Sequence, residues 1–110
     1  MTRSDASHAA AALEHLAVLR RHADSEGADD QLRFDAMCMR LAAAIEDASR
    51  IGADARAHAF GAKWTAMWST RNRITHGYAF VNRDVILASV ERDIDDFETG
   101  LRNIVSGATR

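Results

Sequence analysis

Apolar residues return every three or four positions in four stretches of the chain, the spacing that lines one face of an α-helix. Between residues 5 and 24 the recurring set is Ala9, Ala12, Leu13, Leu16, Leu19 and Ala23, with Arg20, Arg21 and Asp24 on the opposite face. Ser4, Asp5 and Ser7 offer N-cap oxygens, and Ser25, Glu26 and Gly27 supply a stop. A second stripe starts at Asp29 or Asp30 and carries Phe34, Met37, Cys38, Leu41, Ala44, Ile45, Ala48 and Ile51 before ending at Gly52. The short piece from Ala53 to Phe60 reads as a helical turn or two between Gly52 and Gly61. A third stripe runs Phe60, Trp64, Met67, Trp68, Arg71, Ile74, Thr75, Tyr78, and Gly77 stands where a left-handed residue would close a helix. After a turn over 79–82, with Asn82 or Asp84 as cap, Ile86, Val90, Ile94, Phe97, Leu101, Ile104 and Val105 form the cleanest stripe, ending near Gly107. The pattern predicts an all-α fold, a four- to five-helix up-and-down bundle, as one helical domain over 1–110.

Composition agrees with helices. The 110 residues include 22 Ala and no Pro, which argues against a sandwich or barrel with many turns. That length supports one core. A single cysteine, Cys38, makes neither an intramolecular disulfide nor, by itself, a zinc site, so no metal or cofactor is expected to hold the fold. Glu14 and His15 interrupt the apolar start, and no window approaches the ~20 apolar residues of a membrane span. The expectation is a cytoplasmic protein with no membrane partner.

Charge changes the picture only when it is resolved along the chain. The total of −2 points away from nucleic acid. From Gly61 to Arg83, however, Lys63, Arg71, Arg73 and Arg83 occur with no carboxylate, whereas Asp84 to Glu98 holds six acids against Arg92. A stretch of four cations beside an acidic helix reads as a phosphate-directed patch.

Most candidate chemistry has a structural explanation. His8, His15 and His22 are seven apart, about 10.5 Å along a helix axis, too far for two imidazoles to share an ion. They read as solvent-facing or interface histidines, and their heptad phase fits an edge along which another helix lies. Cys38 lies on an apolar stripe and reads as a buried, inert thiol. Trp64, Met67 and Trp68 read as core or interface. Glu91, Asp93, Asp95, Asp96 and Glu98 alternate around a regular helix and read as a solvated face rather than a paired-carboxylate site.

The segment from Arg71 to Tyr78, RNRITHGY, is different in kind. Asn72 and His76 are four apart and share a face, while Arg71 and His76 lie about 140° apart around an ideal helix and flank a surface. An imidazole can take a proton from a ribose 2′-OH or return one to a leaving 5′-oxygen, and a guanidinium stabilises charge on the phosphorus. The same residues admit a structural reading, in which His76 complements the helix dipole and Arg71 snorkels from the core.

Arg71-Asn72-x3-His76-x-Tyr78 resembles the Arg-x4-His-x-Tyr signature of the HEPN superfamily, specifically its HepT-like toxin branch. The second helix, Asp-x4-Asp-Ala-x3-Arg-Leu-x3-Ile-x2-Ala from Asp30 to Ala48, and the run ValAsnArgAspValIleLeuAlaSerValGluArgAspIle extend the resemblance over roughly residues 30–105. It implies an HEPN-like bundle that acts as a homodimer, its two motifs meeting in a shared cleft to form a metal-independent endoribonuclease. Arg71 and His76 would be catalytic, and Asn72 would orient substrate or His76. Arg73, Lys63 and Arg83 are expected to bind the RNA substrate. The branch is usually paired with an MNT-type nucleotidyltransferase antitoxin that adds AMP to the motif tyrosine. Tyr78, the one Tyr in the chain, is the expected AMPylation site. The alternative is a non-catalytic HEPN nucleotide- or RNA-binding module that regulates a partner nucleotidyltransferase.

Overall fold

The structure, a computed structural model, describes residues 4–27 and 29–107. Within them the chain forms helices α1 (Asp5–Ala23), α2 (Asp30–Ser49), α3 (Ala53–Phe60), α4 (Lys63–His76) and α5 (Arg83–Ser106), with a 3-10 turn at Tyr78–Phe80 between α4 and α5. The all-α bundle expected from the apolar periodicity is the observed architecture.

The helix starts follow from side-chain capping. Ser4 Oγ accepts from the Ser7 amide, Asp29 Oδ1 from the amides of Gln31 and Leu32, and Asn82 Oδ1 from the amide of Val85. Each satisfies an orphan donor of a first turn and contributes about 1 kcal/mol. Asp5 reaches farther, accepting from the Gly52 amide at 2.9 Å and so tying the α2–α3 turn to the start of α1. Gly107 closes α5 with a φ of 75°, as expected. Gly77 does not do the same for α4: its φ is −147°, because the chain leaves the helix directly into the 3-10 turn. The third stripe is also split. Phe60 belongs to α3, the Gly61–Ala62 turn intervenes, and Tyr78 lies beyond the end of α4.

The helices close a ring in which α4 packs on α2, α2 on α1, α1 on α5, and α3 bridges α5 to α4. Small residues set the closest approach. Ala9 and Ala12 of α1 and Ala44 and Ala48 of α2 are fully buried and let Leu16, Leu19 and Ile45 interlock. Each such aliphatic side chain stabilises by roughly 1.5–3 kcal/mol. At the α3–α5 contact, Gly100 is needed for space, since a Cβ there would lie 2.7 Å from the Phe60 ring. α4 and α5, although consecutive, are held apart by a cavity of about 570 Å³, whose lining includes Phe60, Met67, Val90 and Phe97.

One sequence reading needs correction here. Glu98 was expected on a solvated face but is buried, because it meets Arg20 of α1: Arg20 Nε donates to both of its oxygens at 3.1 Å, and Arg20 Nη2 reaches both Glu98 and, at 2.6 Å, Asp95. The heptad edge expected to face another helix does so at His15, which meets α2 of the same chain. His15 Nε2 lies 3.3 Å from Asp47 and its Nδ1 3.1 Å from Arg40, while His8 is buried. Among the described residues no cluster of His, Cys, Asp and Glu could hold a metal ion, and no helix is long and apolar enough to cross a membrane.

Candidate functional site

The last turns of α4 and the 3-10 turn that follows carry the residues singled out by the motif. α4 has no side-chain N-cap, and its exposed Thr70 and Thr75 hydroxyls donate back to the carbonyls of Ala66 and Arg71. Its order comes from an aromatic ladder. Phe60 stacks on Trp64 at 6.0 Å, Trp64 on Trp68 at 5.9 Å, and the Arg71 guanidinium lies over the Trp68 ring at 4.7 Å. Residues 64, 68 and 71 share one edge of α4 by their three- and four-residue steps, and Phe60 of α3 meets that edge across the Gly61–Ala62 turn. Arg71 ends the ladder as a cation on an aromatic face, an arrangement that contributes about 0.5–1 kcal/mol or more when partly desolvated.

Two polar contacts fix the guanidinium further. Nη2 lies 2.7 Å from Glu46 Oε2 of α2, and Nη1 donates to Asn72 Oδ1 at 3.0 Å. Nε is buried with no hydrogen-bond acceptor among the described residues. Arg71 is therefore clamped between α2 and α4 rather than reaching freely from the core. Asn72, expected to orient His76 or substrate, accepts from Arg71.

A groove of about 540 Å³ separates α2 from α4 beside this clamp, lined by Glu46 and Arg71, by Asp35 and Tyr78, and by an apolar floor that includes Cys38 and Ile74. The Tyr78 hydroxyl donates to Asp35, and its ring stacks at 6.4 Å on Phe34. Burial, helped by the hydrogen bond to Asp35, pushes the Tyr78 phenol well above the usual tyrosine range, so it stays protonated and donating. Burial and then the Asp35 charge push the Cys38 thiol up to about 11, which fits the expected inert cysteine.

His76, the final residue of α4, is exposed and does not line this groove. Its ring, like the exposed Arg73 guanidinium, makes no hydrogen bond or ion pair with a described residue. Arg83, at the start of α5, lies over the Phe34 ring at 5.5 Å. Lys63 sits at the other end of α4, roughly 20 Å along the axis from His76 by helical rise. There it pairs with Asp96 of α5 at 2.5 Å, and that carboxylate raises its pKa.

The four-cation stretch is thus partly neutralised in space. Glu46 answers Arg71 and Asp96 answers Lys63, so Arg73, Arg83 and His76 are the positive or titratable groups left around the end of α4. One chain brings Arg71, Asn72 and Tyr78 together, leaves His76 at an exposed helix end, and separates Lys63 from all of them. The partners Glu46 and Asp35 were missed in the sequence. A signal existed: both acids sit on the α2 edge formed by positions 35, 38, 39, 42 and 46, which recur at helical steps.

A helical bundle with an Arg-x4-His pair at the end of its fourth helix is HEPN architecture. The chain belongs to the ribonuclease HepT-like family of that superfamily, whose family model matches residues 9–104. The match reaches back through α1, beyond the limit near residue 30 drawn from the motif-bearing helices. No curated protein and no solved structure matches the chain.

Proposed function

We propose that this protein is a toxin-type, metal-independent endoribonuclease of a toxin–antitoxin pair, cleaving RNA in a homodimer cleft through Arg71 and His76. One observation carries the reading: within a chain of the ribonuclease HepT-like family, Arg71 is held on Trp68 at a groove while the His76 imidazole stands exposed at the end of the same helix. His76 takes the 2′-OH proton, the 2′-oxygen attacks phosphorus, and the P–O5′ bond breaks as the imidazolium returns the proton to the leaving 5′-oxygen, giving a 2′,3′-cyclic phosphate and a 5′-hydroxyl. Arg71 stabilises the charge that builds on the phosphoryl oxygens, and Asn72 keeps the guanidinium in register. Arg73 and Arg83 supply the surrounding positive field for RNA. Because Arg71 lines the groove and His76 does not, a second copy bringing its own motif alongside would complete the site.

The expected partner is an MNT-type nucleotidyltransferase antitoxin that adds AMP to Tyr78. The added phosphate would place negative charge beside the motif and compete with RNA. Intact-mass measurement after co-expression with a neighbouring nucleotidyltransferase tests this, and the absence of an AMP increment lost on Tyr78→Phe would refute it. Induced expression tests the toxin reading: growth arrest should depend on both Arg71 and His76.

One observation favours the second reading, a non-catalytic RNA- or nucleotide-binding module regulating a nucleotidyltransferase. Arg71 already has a carboxylate partner in Glu46, which weakens its field at a reacting phosphate. A pure binder would hold RNA without cutting it.

A further inference from the structure

The Arg71–Glu46 contact joins two helices at the groove, yet it lacks the marks of a pair built only to hold them. The Glu46 side chain is about a third exposed, while its Oε2 and Arg71 Nε are both buried without a hydrogen bond among the described residues. A second cation also waits on the carboxylate: Arg50, one turn along α2, has Nη2 3.6 Å from Glu46 Oε1. Glu46 therefore has two guanidinium partners, whereas Arg71 has one donor unused and another occupied by an anion of the same charge type as a phosphate oxygen. A phosphate presents several acceptor oxygens and can engage Nε together with Nη2 from one side. It offers Arg71 more hydrogen bonds than Glu46 does, and the displaced carboxylate is not stranded because Arg50 is within reach.

We propose that Glu46 is a positioning residue for Arg71, holding its guanidinium flat on Trp68 in a charge-neutralised state until an RNA phosphate takes the carboxylate's place and Glu46 passes to Arg50. The inference rests on the RNA-directed reading of the site. It goes beyond it by assigning Glu46, which lies outside the motif, two opposed effects. The residue pre-orients the guanidinium, and it competes with the substrate anion.

The two effects separate in kinetics. With a defined single-stranded RNA oligonucleotide, Glu46→Gln keeps the shape and a hydrogen-bond acceptor but removes the competing charge, and it should lower KM about three- to fivefold, the size of one partly exposed charge contact. Glu46→Ala removes the anchor as well and should lower KM similarly while kcat falls about tenfold. In an Arg71→Ala background, where too little cleavage remains for a KM, Glu46→Gln should leave the dissociation constant for the same RNA unmoved, a coupling that a purely structural role would not produce. Thermal unfolding of each variant reports folding, and the isosteric Gln variant carries the test if the Ala variant fails to fold. A Glu46→Gln KM equal to or above the parent's, or a similar drop in that dissociation constant in the Arg71→Ala background, overturns the proposal. If the parent does not cut RNA, the catalytic reading fails separately and the same comparison is made by RNA binding: tighter binding by Glu46→Gln supports the competition, and unchanged or absent binding overturns it.

Discussion

Arg20 and Arg71 each pair with carboxylate across two helices of this bundle, and the two contacts are built differently. At the α1–α5 seam, Arg20 spends Nε on both oxygens of buried Glu98 and Nη2 on Glu98 and Asp95, and its pKa rises above the ordinary arginine value, chiefly through the hydrogen bonds to Glu98. At the α2–α4 groove, Arg71 is the less exposed of the two guanidiniums, yet its Nε and the facing Glu46 Oε2 are buried without a hydrogen bond among the described residues, and the Glu46 side chain is partly exposed. A pair that satisfies its donors within the protein has little to offer a ligand. One that leaves a buried donor free beside a groove is stable only because other contacts, here the Trp68 face and Asn72, hold it there.

The sharpest way to break this comparison is to truncate each arginine. Arg71→Ala should reduce RNA cleavage by about 10²–10³-fold, the loss typical of one transition-state donor, while the unfolding midpoint moves little. His76→Ala should cost a similar factor with even less effect on stability, since the ring is exposed. Similar cleavage by parent and variants would place the chemistry elsewhere. At the other seam the expectation inverts. Glu98→Ala leaves Arg20 with Asp95 alone and should cost about 2–3 kcal/mol in denaturant unfolding, below the range for a fully buried pair because Arg20 is partly exposed, with cleavage per folded molecule retained.

A smaller effect is expected at Gly100→Ala, where the new methyl meets the Phe60 ring and should cost about 1–2 kcal/mol in the same measurement. A last expectation concerns Cys38. Its folded-state pKa lies above the ordinary thiol value of 9.0, so the folded chain holds that proton more tightly than the unfolded one. The resulting stabilisation is present below pH 9 and is lost as pH rises towards about 11. Thiolate absorbance of the folded protein should rise with a midpoint near 11; a midpoint at 9 would contradict the burial argument.

Elements governed by local rules were legible in the sequence. The 3.6-residue stripe of α5, the caps at Ser4 and Asn82 and the stop near Gly107 all follow from residues within one turn of each other. Errors arose where the deciding partner was distant in sequence. Glu98 looked solvent-facing because Arg20, 78 positions away, is invisible to a periodicity. The cation stretch looked fully available because Glu46 and Asp96 lie on other helices. Gly77 looked like a left-handed stop because composition does not distinguish that closure from a direct exit into a 3-10 turn. The Arg71 to Tyr78 segment was legible as a site because its residue types carry chemistry, but the division of labour was not: Arg71 and Tyr78 share a groove that His76 does not enter.

The account's central claim is that Arg71 and His76 together cleave RNA without a metal ion. It is tested most directly by incubating purified protein with end-labelled single-stranded RNA in EDTA and analysing the new termini, for the parent, Arg71→Ala and His76→Ala in parallel. The account predicts 2′,3′-cyclic phosphate and 5′-hydroxyl ends from the parent and near-complete loss of cutting in both variants. RNA left intact by the parent, or cut equally well by either variant, would contradict it.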